Sequence, residues 1–294
     1  MPQNRLIKVA AAVACLILSG AAASAQDLQP WMSPEIADAW TQGYKGQGSH
    51  VTVVDDFKSR SRYWGQLEPR VQRLRHGQWT AKQVSLMAPS ARVKRQDFGD
   101  NRAIKLRRGL NIFNLSYGMM AVENLSVRWN PRERSIIKHA QGGRGVAVKA
   151  AGNDAIPIGA VNSMMEVDYL ARDLVGAASA IFVGALDAHG RPDQRANLAS
   201  YSNYAGDDAA VQSQFLVVGV TGAQTGLYGT SFAVPIVSGY SAVLSSKFPQ
   251  ATPAQVASQL LSTARTDTIN NYTAATHGRG EASIARALAP VAIR

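Results

Sequence analysis

The stretch Gly229–Gly239, GTSFAVPIVSG, places a serine directly before a long apolar segment. The residues after Ser231 are rich in Ala, Val, Ile and Leu, which predicts a buried helix. Pro235 is compatible with it, because a proline in the first turn removes no intrahelical hydrogen bond. With Gly229 allowing a tight turn, the serine hydroxyl can project while its backbone N–H stays unpaired. This suits a nucleophilic serine, although the same pattern is also typical of an ordinary helix cap.

The segment resembles the nucleophile segment of the subtilisin-like serine peptidases, in which Gly-Thr-Ser is followed by small residues and proline. The resemblance implies that Ser231 is the nucleophile and that a catalytic aspartate and histidine precede it in that order. It also implies a three-layer α/β fold, with a mostly parallel central sheet flanked by helices. Further segments with this resemblance occur over roughly residues 33–290.

An aspartate directly follows the apolar run at residues 51–54. Val51–Val54 is bounded by turn signals, as is typical of a buried parallel strand, and Asp55 follows it. Functional sites in open α/β sheets form beyond the carboxyl ends of the strands, so the Asp55 carboxylate is well placed to belong to such a site. The alternative is that Asp55 is an ordinary solvated residue at the start of a loop. The segment resembles the subtilase opening strand, which implies that Asp55 is the catalytic acid. Asp56-Phe57 departs from the small hydroxyl residue and glycine that the family usually has there, and Asp56 is the alternative acid.

A histidine between the acid and the serine begins a helical stretch. Of the three His-Gly pairs, only His76-Gly77 lies after a strand that ends in an acid and before the serine, in the family order Asp, His, Ser. It resembles the His-Gly-Thr-His helix start of subtilases, with Gln78 in place of the threonine. The resemblance implies that His76 is the general base. His189 and His277 lie in stretches rich in Gly, Pro and Asp, and we expect them at the surface.

Two further strand ends resemble substrate-binding segments of the family. The sequence AAGND at 150–154 follows an apolar strand and implies an oxyanion-hole role for Asn153, with Gly152 allowing close approach of the substrate. Leu110–Gly118 is predicted to be a strand ending in a small-residue turn. It resembles a segment whose backbone pairs with extended substrate and forms one wall of the specificity pocket, matched at Asn114, Ser116 and Gly118.

Residues 1–25 read as a secretory signal peptide. Arg5 and Lys8 precede an apolar run, and Ala23-Ser24-Ala25 supplies a small-residue cleavage site. We therefore expect an exported protein, periplasmic or secreted, with residues 26–294 forming a single catalytic domain. The only cysteine, Cys15, lies in the signal, so the mature chain relies on its core instead of disulfides. No later segment is long and apolar enough to predict a membrane span.

Positive charge is concentrated in residues 58–108. This region carries fourteen Lys or Arg residues against three acidic ones, in a chain of formal net charge +11. Such a band predicts attraction of acidic substrates or an anionic partner, and a solvated surface without a specific partner is the alternative. Neither interleaved aromatic residues nor a known nucleic-acid module is present, so we expect no nucleic acid as partner.

Together these features predict a serine endopeptidase, in monomeric form, that acts on peptides or proteins without a cofactor. Subtilases often bind structural calcium, but no acidic loop here has a distinctive ligand spacing. Only residues 26–55 separate the predicted cleavage site from Asp55, so we expect no covalent pro-region; folding is then spontaneous or assisted by a helper in trans.

A catalytically silent, peptide-binding subtilase fold is the main alternative function, motivated by Asp56 and Gln78. A lipase-type hydrolase needs Gly-x-Ser-x-Gly, which is not matched here.

Export should remove residues 1–25 and leave Gln26 as the first residue, because Ala23 and Ala25 provide the small side chains that the signal peptidase requires. Intact-mass measurement on protein recovered from the cell envelope tests this. Retention of Met1 in that fraction would contradict it.

Overall fold

A parallel sheet lies at the centre of the protein. The computed structural model describes residues 27–293, so the predicted signal peptide lies outside the described residues. The strands in this range are β1 Ser49–Asp55, β2 Tyr63–Gly65, β3 Gln72–Leu74, β4 Arg92–Asp97, β5 Leu110–Leu115, β6 Met120–Val122, β7 Val146–Ala150, β8 Glu166–Asp168, β9 Ala180–Leu186 and β10 Phe215–Gly219. Six of them pair in parallel in the order β10-β9-β7-β5-β1-β4, while β2-β3 and β6-β8 form two small antiparallel pairs.

The inner strands are apolar along their whole length because helices cover both faces of the sheet. Every residue of β5, β7 and β9 is buried. The short apolar runs therefore predicted these strands correctly. Strand β4 was missed, because RVKRQD is a charged, largely exposed edge strand without an apolar pattern.

The helices form the two outer layers and confirm the predicted three-layer α/β fold. They are α1 Glu35–Thr41, α2 His76–Met87, α3 Pro131–Gln141, α4 Tyr169–Leu174, α5 Ala209–Gln214, α6 Gly222–Thr225, α7 Val234–Lys247, α8 Pro253–Ser262, α9 Ala274–His277 and α10 Ile284–Leu288. One core contains side chains of α1, α2, α7, α8 and α10, and the other contains side chains of α3, α4 and α5. None of the helices within residues 27–293 is long and apolar enough to cross a membrane.

The expectation of a surface position was wrong for His277. Its side chain is buried, and its ring stacks on that of Tyr272 with centroids 5.9 Å apart. His189 is partly buried, with its Nε2 2.8 Å from the carbonyl oxygen of Trp31. Glycine-rich surroundings therefore marked tight backbone packing here and not exposure.

Close packing between α2 and α7 fixes the two helices that carry or follow the predicted catalytic residues. A Cβ added at Gly239 of α7 would lie 2.4 Å from the Cβ of Met87 at the end of α2. Helix α7 is buried from Val234 to Ser245, so neither helix can shift without disturbing the core.

Gly239→Ala should therefore destabilise the protein by about 1–2 kcal/mol, although alanine is favoured over glycine in a helix by about 1 kcal/mol. Chemical denaturation measures the difference. In a Met87→Gly background the same change should become stabilising, because the atom that the new Cβ meets is absent. Equal effects in both backgrounds would show that the contact is not limiting.

Candidate active site

The structure places Asp55 and His76 in direct contact. Asp55 is the last residue of β1 and is completely buried, and its Oδ1 lies 2.7 Å from Nδ1 of His76. His76 is the first residue of α2, and its side chain is 23% exposed, so the opposite side of the imidazole can face a substrate. A buried carboxylate at Nδ1 fixes the orientation and tautomer of the ring, leaving Nε2 free to accept a proton.

The two departures from the family pattern have structural explanations. The side-chain oxygen of Gln78 accepts the backbone N–H of Arg75 at 2.9 Å, which caps the helix that begins at His76. Asp56 accepts the backbone N–H of Ser59 at 2.8 Å and closes a turn, so Asp55 and not Asp56 contacts the imidazole. The amide of Gly77 donates to the carbonyl of Asp56 and joins this turn to the helix.

Ser231 lies on a short 3₁₀ turn, Thr230–Phe232, that leads into α7. Gly229 before it has a φ of 116°, a conformation that L side chains rarely adopt. The Ser231 hydroxyl donates to the carbonyl of Ser116 at 3.0 Å, and the Ser116 hydroxyl donates to the carbonyl of Ser231 at 2.9 Å. In this conformation Ser231 therefore makes its side-chain hydrogen bond to the end of β5 and not to His76, whose ring lies beside Phe232 with centroids 5.5 Å apart.

Asn153 faces the same turn from the end of β7. Its side-chain oxygen accepts the backbone N–H and the hydroxyl of Thr230, at 2.8 and 3.0 Å. Since the amide oxygen is engaged, the NH₂ group remains as a donor. Within the described residues, the backbone N–H of Ser231 has no hydrogen-bond partner. Two donors are therefore available beside the serine.

A cavity of about 230 Å³ opens next to these groups. Ser231, Asn153, Gly152 and Gly118 all line it, so the structure brings these predicted residues together. Asn114 does not belong to this set. It is completely buried, with its amide nitrogen bonded to the hydroxyl of Ser116 and its oxygen bonded to Ser238. The Asn114 side chain supports Ser116, and pairing of this segment's backbone with substrate stays a prediction.

The cavity also contains an ion pair that the sequence did not reveal. Nζ of the buried Lys149 lies 2.6 Å from Oδ2 of Asp168, and Lys149 donates to the carbonyl of Ala150 at 2.7 Å. Oδ1 of Asp168 accepts the backbone N–H groups of Met119 and Ala171. Because a buried lysine needs a counter-charge, the two side chains hold each other in the cavity wall, and the pair itself carries no net charge.

Sequence reasoning also missed two residues that position the site. The hydroxyl of the buried Thr80 donates to Oδ2 of Asp55 at 2.9 Å, one helical turn after His76. Gln83, one turn further along α2, donates to the carbonyl of Phe232 at 2.9 Å and so joins α2 to the serine turn. Helical spacing from His76 was the available signal for both residues.

A buried aspartate paired with a partly exposed histidine, beside a serine at the start of a buried helix and an asparagine that follows a neighbouring strand, defines the type of site found in serine hydrolases. The Subtilase family model matches residues 72–281. The chain belongs to the subtilase family, and as a member it is a serine peptidase. No curated protein matches the sequence.

Solved structures share the fold at low sequence identity. The prenylagaramide maturation protease PagA superposes with a TM-score of 0.58 at 20% identity, covering 87% of this chain and 98% of its own. A lanthipeptide protease gives 0.55 at 16% identity, with coverages of 88% and 93%. The MycP3 protease of a type VII (ESX-3) secretion system gives 0.53 at 17% identity, with coverages of 90% and 91%. At this identity the likeness bears on the fold alone.

Thr80→Val should lower kcat/KM about 10- to 100-fold, because Asp55 loses a hydrogen bond that stabilises its charge and orientation. Thr80→Ser keeps the hydroxyl and should retain most activity. Steady-state kinetics on a peptide substrate, with circular dichroism to verify folding, distinguishes the two variants. Wild-type kcat/KM in a folded valine variant would remove Thr80 from the positioning network.

Proposed function

We propose that the chain is an exported serine endopeptidase that uses Ser231 as nucleophile, His76 as general base and Asp55 as the orienting acid. The observation that carries this proposal is the 2.7 Å contact between the buried Asp55 carboxylate and Nδ1 of His76. A histidine held in this way is suited to take a proton at Nε2 and to return it. Periplasmic or secreted location, a single mature domain and the absence of a cofactor remain predictions from the sequence.

Acyl transfer in this site begins with a rotation of the serine. The Ser231 hydroxyl leaves the carbonyl of Ser116 and turns about its Cα–Cβ bond towards Nε2 of His76. Catalytic hydrogen bonds often form only once substrate is bound, so the resting contact with Ser116 is compatible with this step. Ser231 then attacks the peptide carbonyl, and His76 passes the proton to the leaving amine.

The oxyanion that forms in this attack is to be bound by the backbone N–H of Ser231 and the amide NH₂ of Asn153. Thr230 supports this role, since its two hydrogen bonds to the Asn153 oxygen aim the nitrogen away from Thr230. Donors that are fixed before the reaction stabilise the developing charge without reorganisation. The balanced Lys149–Asp168 pair adds no net charge to the adjoining cavity.

An exposed aromatic side chain beside His76 favours a peptide as substrate. Tyr63 is 50% exposed, and its ring lies 6.2 Å from the His76 ring. Such apolar surface next to a polar site suits the side chains of an extended chain. A preference for acidic substrates remains a prediction.

A fluorophosphonate should label Ser231 covalently if His76 activates it. Labelling should be absent in Ser231→Ala, collapse in His76→Ala and persist in Ser262→Ala, which changes an exposed serine on α8. Asn153→Ala should lower turnover about 100- to 1,000-fold with little change in substrate binding, because the lost donor acts in the transition state.

Intact-mass analysis of the labelled protein and kinetics on a peptide library provide the readouts. A well-folded protein that neither labels nor cleaves would favour the alternative, a silent subtilase fold that binds peptides. Labelling that survives in Ser231→Ala would refute the assignment of the nucleophile.

A further inference from the structure

A second cavity, of about 220 Å³, lies at the amino ends of β1 and β4. It is lined by His50, Thr52, Arg92, Val93, Lys94, Lys105, Arg107 and Asn111, and we refer to it as the basic cavity. Parallel pairing sets His50 beside Arg92 and Thr52 beside Lys94, while Lys105 and Arg107 come from the segment before β5. Four cationic side chains from separate segments therefore converge on one concave surface.

The cations of the basic cavity have no directly paired carboxylate within residues 27–293, although the pKa of Asp100 is lowered by its hydrogen bonds with Arg102 and, less strongly, by the charge of Lys94. Among residues 27–293, no carboxylate lines the cavity, and none of its four Lys and Arg residues takes part in a salt bridge. Of the ten other Lys and Arg residues in 58–108, two form a salt bridge, Arg102 with Asp100 and Lys82 with Glu68, so the four cations are distinguished by their convergence on one cavity. Clustered like charges oppose folding, so a bound anion would stabilise the protein at this place.

The backbone that carries Arg107 is held in place before any ligand binds. The side chain of Asn111 accepts the backbone N–H of Arg107 at 2.9 Å and donates to the carbonyls of Arg107 and Gly109. Gly109 has a φ of 95°, and a Cβ there would lie only 2.1 Å from the carbonyl oxygen of Gly48. This fixed backbone lowers the entropic cost of binding.

Protection of the sheet edge explains part of this charge and not all of it. Arg92 and Lys94 lie on edge strand β4, where exposed cations discourage pairing with another chain. Lys105 and Arg107 lie outside that strand, yet they line the same cavity. Edge protection therefore does not account for their position.

We propose that the basic cavity binds a compact anion carrying two or more phosphate or sulfate groups. Arginine and lysine donors match the oxygens of such groups, and four cations can neutralise several charges. The volume is below the 300 Å³ or so of common small-molecule pockets, and no aromatic ring apart from the His50 imidazole lines it, which disfavours recognition of a nucleobase.

This site is separate from the proposed catalytic centre. The cavity beside Ser231 and the basic cavity share no lining residue. His50 and Asp55 lie at opposite ends of β1, about 17 Å apart at the usual rise per residue in a strand. An anion bound here leaves the peptide site open, and the proposal does not depend on peptidase activity.

His50 supplies an independent reporter of binding. Burial, together with the cations of Arg92 and Arg107, lowers the pKa of His50, while its hydrogen bond to the backbone of Arg108 opposes this effect. Lys94 and Lys105 line the same cavity, and a bound anion would offset all four positive charges. Binding should therefore raise the pKa of His50, as followed by NMR of its ring protons.

Inorganic tripolyphosphate is a suitable probe for calorimetric titration of the mature chain. We expect one site per chain, weakened about tenfold or more in Arg92→Gln/Arg107→Gln, since two charge-assisted contacts are lost. Arg60→Gln/Arg70→Gln is the matched control, because it removes the same charge from exposed positions of the same basic region outside the cavity. The control should bind nearly as the wild type does, and the pKa of His50 should rise on binding.

Three results would overturn the proposal. Equal weakening in the two double variants would show general attraction by net charge. Absence of saturable tripolyphosphate binding would show that the cavity takes no such anion. Binding to phosphatidylglycerol vesicles without any to tripolyphosphate would assign the charge to a membrane surface and not to a compact ligand.

Discussion

The arrangement of the site depends on the hydrogen bonds that the buried carboxylate of Asp55 accepts. An ionised carboxylate without partners is costly to remove from water, so its position requires donors from its surroundings. Nδ1 of His76, the hydroxyl of Thr80 and the backbone N–H of Asp56 all lie within hydrogen-bonding distance. The end of β1 and the first turn of α2 must therefore meet in one geometry.

That constraint extends from α2 to the serine through packing. Gln83 of α2 binds the carbonyl of Phe232, and Met87 of the same helix packs against Gly239 of α7. The serine turn is held from the other side by the paired hydrogen bonds between Ser116 and Ser231. The carboxyl ends of three strands and the starts of two helices therefore converge. This is the side of the sheet on which α/β folds generally place their sites.

The sequence predicted the features that have a local pattern. Apolar runs located the inner strands, and each predicted chemical residue stands at a strand end or a helix start. Contacts between distant segments left no such pattern. Lys149 looks like a polar interruption of an apolar run, and only the fold shows that Asp168 neutralises it. The resemblance placed Asn114 in a segment whose backbone pairs with substrate, and only the fold shows that its side chain is buried and supports Ser116.

Edge strands and charged surfaces were the other limit of sequence reasoning. Strand β4 has no apolar alternation, so the region was interpreted by its charge alone. The parallel register of β4 and β1 places Arg92 and Lys94 towards the amino ends of the strands. Asp55 and the site lie at the carboxyl ends, so the two groups are apart. The charge count predicted an attraction for anions, but only the strand register could show which cations meet and that they lie away from Ser231.

We propose that Asp55, His76, Ser231 and Asn153 act on one reacting carbonyl. A crystal structure of the phosphonate adduct tests this proposal. Phosphorus should be bonded to Oγ of Ser231, and one phosphonyl oxygen should lie about 3 Å from both the backbone nitrogen of Ser231 and the amide nitrogen of Asn153. His76 should have its Nε2 turned to the adduct. An adduct whose oxygen points to solvent, or one formed on another residue, would contradict the assignment of these four residues.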